Sequence, residues 1–387
     1  MAAKTSANVS ICLFVIFSLL YKMLIPLEYF NGTLIACIVG FFCFGGNMKP
    51  LNVAIVGATG LVGLEFITIL EERNFPIDKL YPFASDNSLG LTVTYKNREI
   101  DVIPLNEKEI EKHPVDLALF SAGAGVALDY AKHFVNAGAI VVDNSSAFRM
   151  DDDVPLVVPE VNGDILKTTK SKIIANPNCS TIQLVPFIKI VDELFGIKKM
   201  VVSTYQSVSG AGKKGIEELR SQVTALFSFH EVKPEVFLQR IAFNLIPQIG
   251  PFYDDGYCEE EVKMINESRK ILSRPDLDID VTTVRVPTFY SHAETAWFEL
   301  EKECSINEIH RKIKENNEMV LMDDIEQMLY PTLIDSSGKN EVFIGRLRKG
   351  REHKNYLSAW IVADNVRKGA AYNAIRIAET IFEDKND

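Results

Sequence analysis

Asn176-Pro-Asn-Cys-Ser-Thr181 sets one cysteine, Cys179, between small polar residues, after a turn and before the apolar residues Ile182, Leu184 and Val185. Pro177 disfavours helical backbone at Asn176, and Ser180 and Thr181 are the expected caps of the helix that follows. A cysteine placed there feels the positive end of a helix, which favours thiolate. Thiolate is the form that attacks a carbonyl carbon. The same spacing suits a buried structural cysteine, so the surrounding residues have to decide. His292, in Arg285-Val-Pro-Thr-Phe-Tyr-Ser-His-Ala-Glu294, is a natural general base toward a thiol or an attacking water, or else a histidine making one structural bond. Arg285 stands at a strand end before Pro287. It could grip a carboxylate with two parallel donors, or form a surface ion pair. Arg149, after Asp143-Asn-Ser-Ser-Ala-Phe148, and Lys263, in Glu259-Glu-Glu-Val-Lys263, are candidate anion ligands. For Lys263 the helical Glu–Lys spacing equally describes a solvated face.

Positioning these groups takes two kinds of architecture. Residues 51–56 are a Val- and Ile-rich run typical of a buried parallel strand. Gly57-Ala-Thr-Gly-Leu-Val-Gly63 follows, and residues 64–70 read as helix. Strand, glycine turn and helix open a dinucleotide-binding unit. Glycines let backbone approach a pyrophosphate, and the helix N-terminus attracts its charge. The spacing is GxxGxxG, so the motif alone is weak. Residues 80–85, 116–121 and 139–142 read as further strands, with a helix over 129–137. The polar or glycine-rich segments 57–63, 85–90, 121–125 and 143–149 all fall at carboxyl ends of strands, where a doubly wound sheet binds its ligand. After Cys179 the texture changes. Residues 199–206 alternate like a half-exposed strand, 217–228 look helical, and 281–286, 295–301, 342–347 and 357–362 read as strands. That is an α+β half with a mixed sheet and helices on one face. Residues 369–382 form an amphipathic terminal helix expected to pack back on the first half. The expected organisation is a Rossmann-like α/β domain over 48–178, completed by 363–387, and an α+β domain over 179–362.

A chain of 387 residues, 47% hydrophobic and 24% charged, has room for two such domains. A net charge of −11 without a basic run argues against nucleic acid as a partner. The six cysteines, at 12, 37, 43, 179, 258 and 304, form no CxxC pair. Neither a zinc site nor a disulfide scaffold is suggested, and no metal is expected. A reducing compartment suits a reactive Cys179. Residues 1–47 do not match the rest: two apolar runs are separated by a stretch that includes Lys22, and neither reaches the ~18–20 uninterrupted apolar residues of a membrane span. Met48-Lys-Pro50 opens the first strand as a natural start would. The segment therefore reads as leader sequence ahead of a cytoplasmic protein, with a membrane tether as the alternative.

Read together, the motifs GATGLVG (57–63), DNSSAFRM (143–150), VPEVN (158–162), NPNCST (176–181), YQSVSGAG (205–212), IPQIG (246–250), EEEVKM (259–264), RVPTFYSHAE (285–294) and DNVRKGAAYNA (364–374) occur in order. This chain resembles aspartate-semialdehyde dehydrogenase from about Met48 to Glu383. The related N-acetyl-glutamyl-phosphate reductases fit Cys179 less well, because their cysteine follows Asn-Pro-Gly and this one follows Asn178. Glu260 also argues against them. A non-catalytic paralogue would have no need of the whole set. The resemblance implies reversible conversion of 4-aspartyl phosphate and NADPH into aspartate 4-semialdehyde, phosphate and NADP⁺, a step toward lysine, threonine and methionine. It implies Cys179 as the nucleophile that forms an acyl-thioester and His292 as its acid/base partner. Arg285 would hold the substrate carboxylate, Glu260 the amino group, and Gln206 would position the substrate, with Arg149 and Lys263 on the phosphate. Gly57, Thr59, Gly60, Leu61, Val62, Ser209, Gly210 and Asn365 would line the cofactor, in a homodimer or homotetramer. One stretch departs from the pattern. Members using NADP commonly read Ala-Ser-x-Arg-Ser-x-Gly after the second strand, and here Ala84-Ser-Asp-Asn-Ser-Leu-Gly90 puts Asn87 where that arginine meets the 2′-phosphate. Asn87, Ser85 and Ser88 can serve as neutral donors, which keeps NADP as the expectation. Asp86 bonding a ribose hydroxyl would suit NAD instead.

Overall fold

The structure is a computed structural model and describes residues 48–383. The apolar segment 1–47, with its leader and membrane-tether readings, lies outside the described residues. Among the described residues no helix is long and apolar enough to cross a membrane.

The first sheet begins with β1 (Leu51–Val56), buried along almost its whole length, as a parallel strand covered on both faces must be. The helix after the glycine turn, α1 (Leu61–Glu72), starts three residues before its expected position, directly at Gly60. β2 (Ile77–Ala84) follows. A hairpin of β3 (Thr92–Tyr95) and β4 (Arg98–Asp101), not anticipated from the sequence, pairs only with itself. Then come β5 (Ile103–Pro104), α2 (Glu107–Lys112), β6 (Leu117–Phe120), α3 (Ala124–Asn136), β7 (Ile140–Asp143), the short α4 (Pro159–Asn162) and α5 (Ile165–Thr168), and β8 (Ile173–Ala175). Six strands run parallel in the order β5-β2-β1-β6-β7-β8. The strand order reverses between β1 and β6, so the ligand crevice opens beyond their carboxyl ends, beside Gly57 and Ser121.

From β8 the chain turns into α6 (Cys179–Phe195), whose residues from Ser180 to Ile188 are all buried. Such a helix belongs to the core rather than to a surface. β9 (Ile197–Gln206), α7 (Gly212–Phe227), α8 (Glu259–Leu272), β10 (Asp278–Arg285), β11 (His292–Leu300), α9 (Ile306–Lys314), β12 (Met319–Leu321), α10 (Leu333–Ser336), β13 (Val342–Lys349) and β14 (Tyr356–Ala363) complete the second half. Its sheet runs β10-β9-β11-β14-β13-β12 and is mixed, as expected. The pairing register sets Arg285 beside Gln206, and Gln206 beside His292, across three adjacent strands.

The terminal segment expected as one helix is built in two parts. A π-helical turn over Arg367–Tyr372 leads into α11 (Asn373–Glu383). Ala374, Ile375, Ile377, Ala378 and Ile381 share one core cluster with Val53, Ile55, Leu117 and Leu119 of the first sheet. The turn is pinned by the buried Lys368, which donates to Glu160 (2.6 Å) and Glu318 (3.1 Å). Arg367 adds bonds to Glu65 (2.8 Å) and Asn340 (2.9 Å). Buried ion pairs of this kind contribute less to net stability than removal of one partner would suggest; here they fix where the turn lies. The wide turn brings Gly369 against Cys179, in keeping with the tendency of π-bulges to sit at functional sites.

Candidate active site

Cys179 is the first residue of α6, and the cap is Asn178 rather than Ser180 or Thr181. Asn178 Oδ1 accepts the N–H groups of Ser180 (2.9 Å) and Thr181 (3.4 Å). The capping residue must leave helical geometry, and Asn178 does so, with φ −58° and ψ 145°. Asn178 also donates from Nδ2 to Glu260 Oε1 (2.8 Å) and from its backbone to Glu267 Oε2 (2.6 Å). The helix end favours thiolate at Cys179, which is half-buried between two cavities, and desolvation works against it. Burial pushes the thiol up to about 12, Glu260 adds to that, and Arg285 and Arg149 pull only partly back. The sequence exposes the dipole; it does not expose the desolvation that outweighs it.

Around Cys179 the expected substrate residues converge. Arg285 is buried and donates from Nη1 to the Ser207 carbonyl (2.7 Å). Gln206 donates to Glu260 Oε1 (2.9 Å) and accepts from Thr204 (3.1 Å). Glu260 Oε1 therefore takes two amides, while Lys263 stands 3.9 Å from its Oε2 and pairs more closely with Glu259, at 2.9 Å. Arg149 donates to Glu267 (2.8 Å) and to the Asn144 carbonyl (2.6 Å), and its Nε is buried without a partner. Arg149, Asn178, Cys179, Gln206, Glu260, Lys263 and Arg285 line one cavity of about 300 Å³.

His292 is not among that lining. It is fully buried at the start of β11 rather than in a loop, and its Nδ1 accepts the Ser207 N–H at 3.1 Å. A ring whose Nδ1 accepts carries its single proton on Nε2. Burial, then the charge of Arg285, lower its pKa to about 3. His292 thus stands as a neutral donor, with an Nε2 that has no partner. A Cβ built on Gly210 would meet that Nε2 at 3.5 Å and Arg285 Nη1 at 2.6 Å, so only a residue without a side chain leaves this approach open. The preceding Ser291 is buried at φ 69°, a strained value for a non-glycine residue. Its N–H is held by Asn365 Oδ1 (3.0 Å).

On its other side Cys179 borders a second cavity together with Val62, Ser121 and Gly123. Gly57 adopts φ +88°, and a Cβ on Gly63 would come within 2.2 Å of the Gly57 carbonyl. Gly60 caps α1 without a side-chain bond, so the first N–H groups of α1 lack an intrahelical or capping partner, the arrangement a pyrophosphate cradle uses. Thr59 Oγ1 lies 3.1 Å from Ser88 Oγ, and Lys213 donates to the Thr59 carbonyl at 2.6 Å. Asn87 is exposed in the adjoining 3₁₀ turn. The second cavity, about 240 Å³, is bordered by Val62, Arg149, Cys179, Ser209, Gly210 and Asn365 among others. Gly57, Thr59, Gly60, Leu61, Asn87 and Ser88 do not border it. Asn365 Oδ1 gathers Ser207 (3.2 Å), Ser209 (3.0 Å) and Ser291, which fixes this wall. Cys179 and Arg149 border both cavities. Among the described residues no cluster of His, Cys, Asp or Glu is placed to hold a metal ion.

Sequence reading missed Glu267, Lys213 and Gly369. Glu267 was traceable, since Glu260, Lys263 and Glu267 repeat on one face of α8 and a buried acid there demands a cation. Gly369 gives the sharpest test. A Cβ on it would sit 2.8 Å from Cys179 Cβ and 3.1 Å from its Cα, and backbone at the first residue of a buried helix cannot give way. Gly369→Ala is expected to fold and bind nucleotide but to lose ~10–100-fold in kcat, as displacement of a reacting atom does. Steady-state kinetics with nucleotide titration checks it; an unchanged kcat would contradict the close approach.

Residues 52–169 match the family described as semialdehyde dehydrogenase, NAD binding domain, and residues 189–368 match semialdehyde dehydrogenase, dimerisation domain. The chain is 49% identical over 335 residues to the aspartate-semialdehyde dehydrogenase of Aquifex aeolicus, covering 86% of this chain and 98% of that one. It is 48% identical to the Legionella pneumophila protein of the same name, over 86% of this chain and 96% of that one. Among solved structures, aspartate semialdehyde dehydrogenase II of Vibrio cholerae, complexed with ASA, matches with a TM-score of 0.84 at 42% identity, covering 87% of this chain and 99% of that one.

Proposed function

This chain belongs to the aspartate-semialdehyde dehydrogenase family, and on that premise we propose that it reduces 4-phospho-L-aspartate to L-aspartate 4-semialdehyde and phosphate, reversibly and with NADPH, through an acyl-thioester on Cys179. The reaction would serve lysine, threonine and methionine synthesis. The observation that carries this reading is the gathering of Arg285, Arg149, Lys263 and Glu260 around the cavity that Cys179 shares with the nucleotide side.

Each residue then has a task its geometry supports. Arg285, fixed by the Ser207 carbonyl, meets the substrate carboxylate. Glu260, turned by Asn178 and Gln206, meets the ammonium. Arg149 and Lys263 meet the phosphate. As the Cys179 sulfur bonds to the acyl carbon, the bond to the phosphate oxygen breaks. The phosphate leaves with that electron pair and with the thiol proton. The first N–H groups of α6 are the donors for the acyl oxygen as it gains charge, and His292, with its proton on Nε2, is the acid/base partner. A bound nicotinamide would supply the hydride; the C–S bond then breaks as the aldehyde forms, and the Cys179 sulfur leaves with that electron pair and takes one proton to become thiol again. The glycine turn fits such a nucleotide, because Gly57 and Gly63 hold backbone where side chains would intrude. Exposed Ile325, Met328 and Ile334 lie within the matched dimerisation segment and support a homodimer, or a tetramer built from it. Asn178, bonded to Glu260, speaks against the N-acetyl-glutamyl-phosphate reductase alternative.

The test supplies the full chain, under reducing conditions, with aspartate semialdehyde, phosphate and either NADP⁺ or NAD⁺. Phosphate-dependent reduction of nucleotide is expected, faster with NADP⁺; reduction indifferent to phosphate would sink the reading. Asn87→Arg is expected to tighten NADP⁺ about tenfold, the effect of about 1.4 kcal/mol from one charge-assisted bond. NAD⁺ binding should stay unchanged. Fluorescence titration of both nucleotides reads this directly, and equal tightening of both would place Asn87 away from the 2′-phosphate.

A further inference from the structure

Glu294 lies two residues beyond His292, on the same side of β11, and is wholly buried. Neither carboxyl oxygen has a hydrogen-bond partner. Burial is the largest influence on it and favours the neutral acid; the nearby Gln183 and Ser180, both from α6, pull the other way without reaching hydrogen-bond geometry, and no charged group is among its influences. Gln183 Oε1 and Ser180 Oγ are themselves buried without partners. Gln183 Nε2, meanwhile, donates to the His292 carbonyl at 3.5 Å, and Ser180 directly follows Cys179.

Two states of the carboxyl can be weighed by counting donors. An ionised carboxylate would be acceptor-only and would bury a charge with no counter-ion. A protonated carboxyl completes the set. Its O–H could donate to Gln183 Oε1 and its carbonyl oxygen accept from the Ser180 hydroxyl, both left open on α6, while the Gln183 amide stays on His292. Buried polar networks add rigidity when every member is satisfied.

We propose that Glu294 is a positioning residue, kept as a neutral carboxylic acid, that clamps the helix of the nucleophile to the strand of the histidine through Ser180 and Gln183. Burial also raises its pKa well above the usual carboxylate range, in the same direction. The positioning role rests on the proposed tasks of Cys179 and His292; the protonation state does not.

Glu294→Gln preserves volume and a donor–acceptor pair, and should keep kcat and KM close to wild type. Glu294→Met preserves volume but no hydrogen bond. It should fold by circular dichroism yet lose ~10–100-fold in kcat at nearly constant KM, the signature of misplaced reacting groups. The infrared difference between wild type and Glu294→Gln at neutral pH should show the carbonyl stretch of a protonated carboxyl. Absence of that band overturns the neutral state. A Gln variant as inactive as the Met variant points to an ionised, proton-carrying role and overturns the clamp. A Met variant as fast as wild type reduces Glu294 to filler. Should the Met variant fail to fold, the infrared band and the Gln variant still decide. Because the band needs no turnover, a failed dehydrogenase assay and a failed clamp are told apart.

Discussion

Cys179→Ala is expected to abolish phosphate-dependent nucleotide reduction, with kcat down by at least ~10⁴-fold, the loss typical of removing a catalytic nucleophile. Among the described residues no other thiol can stand in: the remaining free cysteines, Cys258 and Cys304, are buried, and Cys258 sits against Thr283 at 3.2 Å. Nucleotide affinity should hardly change, because the glycine turn and the Asn365 wall do not depend on the sulfur. A companion measurement tests the state of the thiol. With its pKa pushed up to about 12, Cys179 should alkylate slowly at neutral pH, and the rate should climb as pH rises toward that value. Rapid alkylation of the free enzyme near pH 7 would show that the cations and the helix end defeat desolvation after all. The raised value also has a stability consequence of definite sign. The stability tied to the protonated thiol is fully present below the ordinary value of 9.0 and is lost as pH rises toward about 12.

His292→Ala carries the second largest expected effect, ~10²–10⁴-fold in kcat, the range of a positioned proton donor. The pH dependence discriminates between roles. A histidine titrating at its ordinary 6.5 would impose a step on the rate there, whereas a ring whose value is lowered to about 3 stays neutral through the working range. The rate of the wild type should therefore show no inflection near neutrality that His292→Gln removes; finding one would restore the conventional base. The sign of the linkage follows from the lowered value. Stability owed to neutral His292 is fully present above about 6.5 and is lost as pH falls toward about 3. Denaturant unfolding of wild type and His292→Gln between neutral and acid pH should diverge as the pH drops.

Much of the architecture was legible because it is written in periodicities. Buried parallel strands read as Val and Ile runs, and the glycine turn announced the nucleotide half. Each substrate residue stood in a segment long enough to resemble a family. What stayed hidden was whatever depends on neighbours distant in the chain. The cap fell on Asn178, whose side chain suits that place as well as serine does; what the sequence did not show is that its amide is also held by Glu260, from a distant helix. The Nδ1 of His292 is taken up by the Ser207 N–H, which reaches it from the turn after β9. The π turn at Arg367–Tyr372 follows from buried ion pairs to Glu160 and Glu318, and no local propensity announces such a turn. Glu294 read as the tail of a motif, and only its burial gives it a task.

The register that aligns Arg285, Gln206 and His292 across adjacent strands makes the enzyme an internal gauge of its own folding. Side chains alternate faces along a strand, so slipping any one of the three strands by a single residue turns its member of the row away. The row joins distant parts of the chain, and such pairings form late. An intermediate with its first sheet complete and its second sheet unpaired would hold nucleotide and turn over nothing, so recovery of catalysis on refolding times the closing of the second sheet rather than the collapse of the chain.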